Sequence, residues 1–432
     1  MKKINVGLIG FGTIGTGVVK LLKKNRNEIM RKTGINVQLK KIADLDVTSD
    51  RGIHLEKGIL TRNVNQIIKD PEIDLVVELI GGVTKARELI IKALYNGKHV
   101  VTANKALLSL HSRELFKIAD KNNRMIGFEA SVCGGIPIIK VIRESLVANK
   151  IKKIMGIVNG TTNFILSQME EKDLDFNKAL QLAQKKGFAE ANPDLDISGE
   201  DAAHKLQILA SYAFSTDIPL KKIYFEGIEK IDIQDIRYIQ ELGYKIKLLA
   251  IVKMDKHNRI ECRVHPTIIP KDYLLASVKD EYNAVFIEGD ASGGQIFYGK
   301  GAGSLPTASA VVGDIIDIAK SCEESRGASY SEIFDLHSKI VIKKFADFSC
   351  RYYLRFHTKD QPGVLAQIGK ILGNHRISLT SVIQKETGQK VVPIVMLTHL
   401  AKEDDIQRAI RSIRKLKIVK NPVKIIRIEN SD

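Results

Sequence analysis

Short apolar runs alternate with longer amphipathic stretches over the first third of the chain. The runs have the length and composition of buried strands, and they lie at 4–9, 37–44, 74–82, 99–105 and 124–131. Stretches with apolar residues at helical spacing separate them. Strands that alternate with helices form parallel sheets with right-handed crossovers, so this region predicts a doubly wound α/β domain.

The middle of the chain has a different pattern. A strand at 151–158 precedes two or three helices within 162–213. Four further strands are predicted at 245–254, 259–270, 283–290 and 294–301. This order predicts a mixed α+β domain. A helix follows at 304–321, and we expect it to return to the first domain, with Pro306 in its first turn.

The C-terminal part, from Arg351 onwards, has the order strand, helix, strand, strand, helix, strand. This order predicts a ferredoxin-like βαββαβ domain. The expected organisation is a first domain at 1–136 completed by the helix at 304–321, a second domain at 137–303, a linker region at 322–349 and a last domain at 350–432.

A glycine-rich turn follows the first predicted strand and opens the first predicted helix. Its residues are Gly10, Phe11, Gly12, Thr13, Ile14 and Gly15. Gly10 permits a tight turn, Gly12 lets the backbone approach a pyrophosphate, and Gly15 lets the helix pack closely on the strand. The free N–H groups of the first helical turn would bind the phosphates. In this context the motif predicts a Rossmann-type dinucleotide site.

The choice between NAD and NADP stays open in the sequence. Asp44 ends the second predicted strand, where an acid that binds the ribose of NAD is expected. Lys40 and Lys41 lie close by and would favour the 2′-phosphate of NADP. Asp44 is equally typical of a turn residue.

Composition and charge exclude some classes of protein. The 432 residues carry a net charge of +17, which raises the question of nucleic-acid binding. However, Trp is absent, and the basic residues of the last predicted helix lie beside apolar ones, as on a solvated helix face. No apolar run approaches the ~20 residues of a membrane span. We expect neither a nucleic-acid nor a membrane partner.

The cysteines are widely spaced and form no paired motif. They are Cys133, Cys262, Cys322 and Cys350. This spacing favours neither a zinc site nor a disulfide framework, and it fits a cytoplasmic protein.

Carboxylates and a lysine cluster within residues 185–206. They are Glu190, Asp194, Asp196, Asp201 and Lys205. Asp201 and Lys205 are four residues apart in a predicted helix and share one face, where they could bind a cationic group and move a proton. A structural interpretation is equally favoured by the residue types: Ser198 and Asp201 as a capping box, and an ordinary helix ion pair.

Two further segments have both a functional and a structural interpretation. Lys105 ends the fourth predicted strand, and ligands of such sheets bind beyond the carboxyl ends of the strands. Most lysines are nevertheless simply exposed. The glycine-rich turn at 131–137 could offer backbone carbonyls to a cation or connect two domains.

Together these segments resemble the homoserine dehydrogenase family over essentially the whole chain. The resemblance rests on residues 10–15, 102–108, 129–137, 156–166, 185–206 and 299–314. It implies the NAD- or NADP-dependent interconversion of L-homoserine and L-aspartate 4-semialdehyde, in threonine, methionine and isoleucine biosynthesis. A dehydrogenase of another amino acid and a non-catalytic amino-acid sensor are the alternative interpretations.

The resemblance also implies roles for individual residues. Lys205 matches the proton shuttle, Asp201 the carboxylate beside it, and Lys105 a second active-site lysine that also contacts the cofactor. The implied substrate-binding residues are Glu190, Asp196, Asp201, Gly160 and Thr161. The loops implied to close on the cofactor contain Gly187, Gly301 and Gly303.

A site for a sodium or potassium ion is implied at the turn near residue 133. Its ligands would be Glu129 and the backbones of Val132, Gly134 and Ile136. The family commonly has glycine or alanine where Cys133 stands. Because cysteine is also small and the implied ligands nearest it are backbone groups, we expect the ion site to be kept.

Residues 360–384 resemble an ACT domain, with an Asp-x-Pro-Gly turn, a helix and a second strand. The resemblance implies a homo-oligomer, a dimer or tetramer, and an amino-acid effector, here L-threonine. The implied effector residues are Asp360, Gly363, Val364, Leu365, Asn374 and Ile377. A domain that only holds subunits together is the alternative.

Overall fold

The computed structural model describes residues 2–322, 340–385 and 390–430. The chain forms two compact units. The first consists of Met1–Gly160, Asp201–Lys221 and Glu281–Ile340, and the second of Thr161–Glu200, Lys222–Asp280 and Val341–Asp432. Among the described residues, no helix has both the length and the apolar character required to cross a bilayer.

The strands and helices alternate along the chain much as the apolar pattern predicts. The strands are β1 Lys2–Ile9, β2 Ile35–Ala43, β3 Leu60–Thr61, β4 Leu75–Glu78, β5 His99–Thr102, β6 Ile126–Gly127, β7 Ile151–Ile157, β8 Tyr224–Phe225, β9 Tyr244–Met254, β10 Arg259–Pro270, β11 Tyr282–Gly289, β12 Gly293–Lys300, β13 Val341–Ile342, β14 Ser349–Lys359, β15 Leu379–Gln384, β16 Val391–Thr398, β17 Ala401–Lys402 and β18 Val419–Ile428. The α-helices are α1 Thr13–Lys24, α2 Arg26–Thr33, α3 Asn65–Ile68, α4 Thr84–Tyr95, α5 Lys105–Lys121, α6 Ile138–Lys140, α7 Gly160–Lys172, α8 Phe176–Lys185, α9 Asp194–Ile197, α10 Glu200–Ala213, α11 Ile233–Glu241, α12 Ser304–Ser321, α13 Val364–Asn374 and α14 Glu403–Ile413.

A parallel six-stranded sheet is the centre of the first unit. Its strand order is β3-β2-β1-β4-β5-β6, and each neighbouring pair is parallel. Apolar side chains of its central strands, such as Val6 and Val77, are fully buried, as in a sheet with both faces covered. The strand order reverses between β1 and β4, where ligands of such sheets bind. The predicted doubly wound fold is confirmed.

Helix α12 belongs to the same unit, in which β7, β11 and β12 form an antiparallel sheet. The helix packs against α1, as expected of a helix that returns to the first domain. A Cβ on Gly17 of α1 would lie 2.6 Å from the carbonyl oxygen of Ser304, so this close approach requires glycine. The contact places the start of α12 beside the glycine-rich turn.

The second unit contains the C-terminal ferredoxin-like sheet. Its strand order is β18-β14-β16-β15, and each neighbouring pair is antiparallel. Buried apolar side chains of the sheet and of α13 and α14 form one core, which includes Leu354, Ile368 and Ile410. Strand β18 also pairs in parallel with β10, at Thr267–Arg427 and Ile268–Ile428. The predicted βαββαβ order is confirmed.

Buried ion pairs join this sheet to the rest of the second unit. Arg355 of β14 is inaccessible and binds Asp235 of α11, which is also inaccessible. Arg263 of β10 binds the buried Glu429, next to β18. Removing one partner of such a pair leaves a buried charge, which typically costs ~3–5 kcal/mol. The C-terminal domain is therefore docked through its sheet and not only through the connecting chain.

The structure departs from the predicted elements in three places. The strand predicted at 124–131 is limited to β6 and is followed by a single turn at Glu129–Ser131, because the Glu129 N–H bonds to Asp314 of α12 and not to a strand. Four helices, not two or three, lie between Gly160 and Ala213. The predicted linker at 322–349 contains a short strand, β13, which pairs with β10. Residues 323–339 of this linker lie outside the described residues.

Candidate active site

The glycine-rich turn between β1 and α1 leaves open space at the helix N-terminus. Gly10 has a φ of +100°, and a Cβ there would lie 2.6 Å from the backbone of Leu79. A Cβ on Gly15 would lie 2.2 Å from the carbonyl oxygen of Gly10. At Gly12, by contrast, a Cβ would meet nothing within 4 Å, and no side chain caps the helix. The fold requires the outer glycines, and the central one leaves room for a pyrophosphate.

Residues that follow β2 hold this turn in place. The Asp44 carboxylate accepts a hydrogen bond from the N–H of Phe11 and another, of 2.9 Å, from the N–H of Asp46. The guanidinium group of Arg51 lies 4.9 Å from the centre of the Phe11 ring, and its Nε donates to the Phe11 carbonyl at 2.7 Å. Sequence reasoning missed Arg51, since it lies in a loop without a recognisable motif.

Lys40 and Lys41, the two lysines that would favour the 2′-phosphate of NADP, have other partners. Lys40 forms an ion pair with Glu72 at 2.7 Å. Lys41 donates to the carbonyl oxygen of Gly58 at 2.9 Å. Arg51 is therefore a cation in direct contact with the glycine-rich turn, whereas neither Lys40 nor Lys41 is shown to contact it.

Two lysines meet at one buried carboxylate within the first unit. The Nζ of Lys205 lies 2.8 Å from Oδ2 of Asp201, one helical turn away on α10. The Nζ of Lys105, the first residue of α5, lies 3.1 Å from the other oxygen, Oδ1. The side chains of Asp201, Lys205 and Lys105 are 6%, 13% and 39% exposed, respectively. Both ammonium groups thus share one counterion, and the Lys105 side chain is the most accessible of the three.

Asp201 is held as an ion by its neighbours. Burial alone would raise the pKa of this carboxyl group, but the charges of Lys205 and Lys105, with hydrogen bonds from Lys205 and Asn159, hold its pKa well below the ordinary value. The carboxylate therefore stays ionised through the neutral pH range. The capping-box interpretation is wrong, because Asp201 faces the lysines and Ser198 Oγ accepts from the N–H of Glu200.

The segment after β7 completes the surroundings of Lys205. The carbonyl oxygen of Val158 accepts a hydrogen bond of 2.7 Å from Lys205 Nζ. The side-chain amide of Asn159 donates to Asp201 Oδ2 at 2.8 Å. Sequence reasoning missed both contacts: a backbone carbonyl leaves no residue signature, and Asn159 was noted only as part of a motif. Together they orient the ammonium group of Lys205.

A second network positions Lys105 at the carboxyl ends of β4 and β5. Thr102 Oγ1 donates to the buried carboxylate of Glu78 at 2.7 Å. Asn104 caps α5 by accepting from the N–H of Leu107 at 3.1 Å, and its side-chain amide donates to the carbonyl of Gly82 at 2.6 Å. Burial raises the pKa of Glu78. Because Lys105 directly follows Asn104, this network fixes where α5 begins.

The turn near residue 133 combines a buried acid with an unusual backbone. The Glu129 carboxylate accepts hydrogen bonds from the N–H groups of Ile139 and Lys140, both at 2.8 Å. Burial raises the pKa of Glu129 to about 7. Cys133 and Gly134 both have positive φ, +54° and +44°. The turn at Cys133 and Gly134 is therefore tight. The Glu129 carboxylate comes four residues before Cys133 in the chain and belongs to the same unit.

The backbone oxygens of this turn test the predicted cation site. Among the described residues, the carbonyls of Val132 and Gly134 accept no hydrogen bond, although both residues are buried. The carbonyl of Ile136 accepts from the N–H of Ile138 at 2.8 Å. Buried carbonyls without partners are rare, and oxygen donors suit hard cations. Among the described residues, no group of three or more Asp, Glu, His or Cys side chains is arranged to hold a metal ion, so backbone carbonyls would supply most ligands of such a site.

The loop before α12 adjoins both the turn near residue 133 and the glycine-rich turn. A Cβ on Gly134 would lie 2.5 Å from the carbonyl oxygen of Gly301. Gly303 has a φ of +115°, and the next residue, Ser304, donates from Oγ to the Thr13 carbonyl at 2.7 Å. The loop that contains the two glycines predicted for cofactor closure thus contacts the start of α1 through Ser304.

The remaining predicted active-site residues lie in the second unit, except Gly160, which ends the first segment of the first unit. Gly160 begins α7, and Thr161 Oγ1 donates to the Phe188 carbonyl at 2.7 Å. Gly187 has a φ of +76°. Glu190 is exposed and Asp196 is half-buried in α9. The substrate role of these residues remains a prediction.

The predicted effector residues surround α13 in the second unit. Gly363, with a φ of +85°, precedes the helix, and nothing lies within 4 Å of a Cβ built there. Val364 and Ile377 belong to the hydrophobic core, whereas Leu365 is 43% exposed. Asp360 lies in the turn before the helix, and Asn374 is its last residue. A ligand at this turn would meet backbone groups and the Leu365 side chain.

Three family models match the chain, and together they span most of it. Residues 10–129 match the NAD binding domain of homoserine dehydrogenase, 137–316 match homoserine dehydrogenase, and 352–417 match the ACT domain.

Relatives match over the full length of the chain. The homoserine dehydrogenase of Neisseria gonorrhoeae is 43% identical over 434 residues, covering 100% of this chain and 99% of the relative. That of Pseudomonas aeruginosa is 44% identical over 436 residues, covering 99% of both.

Solved structures agree with these matches. The crystal structure of a homoserine dehydrogenase from Thiobacillus denitrificans has a TM-score of 0.93 at 43% identity, and covers 100% of this chain and 99% of that one. A hyperthermophilic archaeal homoserine dehydrogenase mutant in complex with NADPH has a TM-score of 0.62 at 27% identity, covering 74% of this chain and 98% of that one.

The glycine-rich turn allows cofactor binding to be separated from folding. We expect Gly12→Ser to weaken NADPH binding at least about tenfold, since the side chain would occupy the space for the pyrophosphate. Serine is a good N-cap residue, so the melting temperature should not fall. Gly15→Ala should lower the melting temperature, because its Cβ meets the Gly10 carbonyl. Fluorescence titration and thermal melting provide the two readouts, and unchanged NADPH affinity in Gly12→Ser would contradict this assignment.

Proposed function

This chain belongs to the homoserine dehydrogenase family, and from that premise we propose that it interconverts L-homoserine and L-aspartate 4-semialdehyde, in threonine, methionine and isoleucine biosynthesis in the cytoplasm. The family match over the full length supports the oxidoreductase class. The observation that carries the reaction is the pair of lysines at one buried carboxylate, Asp201.

A proton must be exchanged at the reacting oxygen in either direction. A bound nicotinamide dinucleotide supplies the hydride in the reduction and takes it up in the oxidation. In the reduction, Lys205 Nζ donates a proton to the aldehyde oxygen as negative charge develops there, and Lys105 stabilises that charge. In the oxidation, Lys205 acts in its neutral amine form and takes up the alcohol proton, which returns it to the ammonium form. Asp201 orients both ammonium groups.

The substrate would be held by its charged groups. We assign its ammonium group to Glu190 and Asp196, because carboxylates suit a cationic ligand. Gly160 and Thr161 would line the pocket, and Asp201 would border it. The Thr161 hydroxyl bonds to the Phe188 carbonyl, within the segment that precedes Glu190. This bond supports the grouping of Thr161 with the 187–190 segment.

The glycine-rich turn fits the cofactor. The matching NAD binding domain and the relative solved with NADPH support NAD or NADP. The open space at Gly12 and the uncapped N-terminus of α1 would take the pyrophosphate, and Lys105, Gly187, Gly301 and Gly303 would border the dinucleotide. The full set at the turn is Gly10, Phe11, Gly12, Thr13, Ile14 and Gly15. Arg51 beside Phe11 is suited to a 2′-phosphate, and Asp44 to a ribose hydroxyl.

The turn near residue 133 fits a sodium or potassium ion. Its donors would be the Glu129 carboxylate and the carbonyls of Val132, Gly134 and Ile136. The unpartnered carbonyls of Val132 and Gly134 support this proposal. A bound cation would fix the turn against the loop that contains Gly301, and so stabilise that loop beside α1.

The ACT domain would bind L-threonine and regulate the enzyme, which would act as a homo-oligomer, a dimer or tetramer. The proposed effector residues are Asp360, Gly363, Val364, Leu365, Asn374 and Ile377. The open turn at Gly363 and the exposed Leu365 support a ligand there.

The proposed reaction is tested by absorbance at 340 nm. The purified chain with L-homoserine and NAD⁺ or NADP⁺ should form NADH or NADPH, and the comparison gives the preferred cofactor. L-threonine should lower the rate. L-aspartate replaces L-homoserine as a control and should give no signal. If neither cofactor is reduced, and aspartate semialdehyde is not reduced either, the proposed activity is wrong.

The proton-transfer role of Lys205 predicts a specific kinetic defect. Lys205→Ala should lower kcat by about 10²–10⁴-fold, the usual contribution of general acid–base catalysis. NADPH affinity should be kept, since Lys205 is not one of the proposed cofactor-binding residues. Lys117→Ala, at an exposed lysine of α5, is the matched control and should keep full turnover. Turnover in Lys205→Ala close to that of the control would remove Lys205 from the mechanism.

The proposed cation site predicts a stabilisation specific to small ions. Replacing N-methylglucamine chloride by sodium or potassium chloride at equal ionic strength should raise the melting temperature of the unaltered chain. Glu129→Gln should abolish that difference, because it removes the only charged donor proposed at the site. Glu144→Gln, at an exposed acid nearby, is the control and should keep it. Equal melting temperatures of the unaltered chain in all three salts would contradict the site.

A further inference from the structure

A polar cleft in the second unit has no role in the proposed reaction. Its volume is about 410 Å³, within the range of small-molecule sites. Its walls come from the end of α9, the segment that contains β8, helix α14 and strand β18. Its lining includes Tyr224, Glu226, Glu229, Lys230, Arg414 and Arg427.

The base of the cleft is a network of hydrogen-bonded and stacked side chains around Arg427. The buried Arg427 binds Glu403 with two hydrogen bonds of 2.8 Å and Glu226 with one of 3.0 Å. Tyr224 donates to the same Glu226 oxygen at 2.9 Å and stacks on Phe345. The guanidinium group of Arg427 lies over both rings. These groups satisfy one another, so they form a preorganised floor.

The rim carries charges of both signs that are not paired. In the described parts of the chain, the side chains of Glu229, Lys230 and Arg414 take part in no ion pair or hydrogen bond. All three are exposed. Two cations and one anion face the same cleft, and Phe225, 40% exposed, adds an apolar wall. Such a rim complements a ligand that carries a carboxylate and an ammonium group.

We propose that this cleft is a binding site for a small amino acid in its zwitterionic form. Arg414 and Lys230 bind the carboxylate, Arg414 through its planar fork of donors. Glu229 binds the ammonium group. The side chain of the ligand lies against Phe225. This site is separate from the ACT turn at Asp360, and it does not depend on the proposed reaction.

The cleft borders the segment that carries the proposed substrate acids. Ser198 lines it, two residues after Asp196 in the chain. The N–H of Ile228 donates to the Ile197 carbonyl at 2.9 Å, and a Cβ on Gly227 would lie 2.0 Å from that same oxygen. The segment with Glu229 and Lys230 is therefore held tightly against the end of α9. A ligand in the cleft contacts both this segment and the ACT domain.

Calorimetric titration of the full chain tests the site directly. L-threonine and L-methionine are the probes, and the chain carries Asp360→Ala so that the ACT turn does not contribute. At least one of the two probes should bind. If L-threonine binds, L-threoninamide, which lacks the carboxylate, should bind at least about tenfold more weakly. Adding Arg414→Gln or Glu229→Gln to the Asp360→Ala chain should lower the affinity for the probe that binds at least about tenfold.

Lys415→Gln is the matched control, since Lys415 is an exposed cation beside Arg414 that does not line the cleft. It should leave the affinity unchanged, and thermal melting checks that each variant is folded. The proposal is overturned if neither probe binds in the Asp360→Ala chain. It is also overturned if binding survives both Arg414→Gln and Glu229→Gln. Because binding is measured without turnover, a failed activity assay does not affect either result.

Discussion

The buried carboxylate of Asp201 is the group on which the proposed active site depends. Its two oxygens are divided between Lys205 at 2.8 Å and Lys105 at 3.1 Å, and Asn159 bonds to the oxygen that faces Lys205. Two ammonium groups so close together repel each other unless an anion lies between them. An ionised Asp201 therefore allows both lysines to stay in one small space, where one can exchange a proton and the other can stabilise charge.

The fold supplies this geometry from elements that are far apart in the chain. The sheet order brings the carboxyl ends of β1, β4 and β5 to one edge. The glycine-rich turn leaves β1, and α5 begins after β5 with Lys105, fixed by the capping bond of Asn104. The loop before α12 adjoins the turn near residue 133 and α1. Apart from Gly187, the proposed cofactor, cation and catalytic groups thus share the first unit.

Local spacing was sufficient to predict most of the elements and the motifs, but not the contacts between distant segments. Gly10, Gly12 and Gly15 follow from their spacing after a strand, and Asp201 with Lys205 from their separation on a helix. The sequence left the Asp201 cluster equally open to a structural interpretation, because its second partner, Lys105, comes from another helix. The Val158 carbonyl leaves no signature in the sequence. The strand predicted at 124–131 ends early because Asp314 of α12 accepts the hydrogen bond from the Glu129 N–H.

The most direct test of this account is the kcat of Asp201→Asn, measured with L-homoserine at saturating cofactor. Asparagine has the same shape and can still accept a hydrogen bond, but it cannot balance two ammonium groups. We expect kcat to fall at least about 100-fold, with NADPH affinity and the folded state kept. A kcat close to that of the unaltered chain would show that the charge of Asp201 is not required, and would contradict the central role given to it.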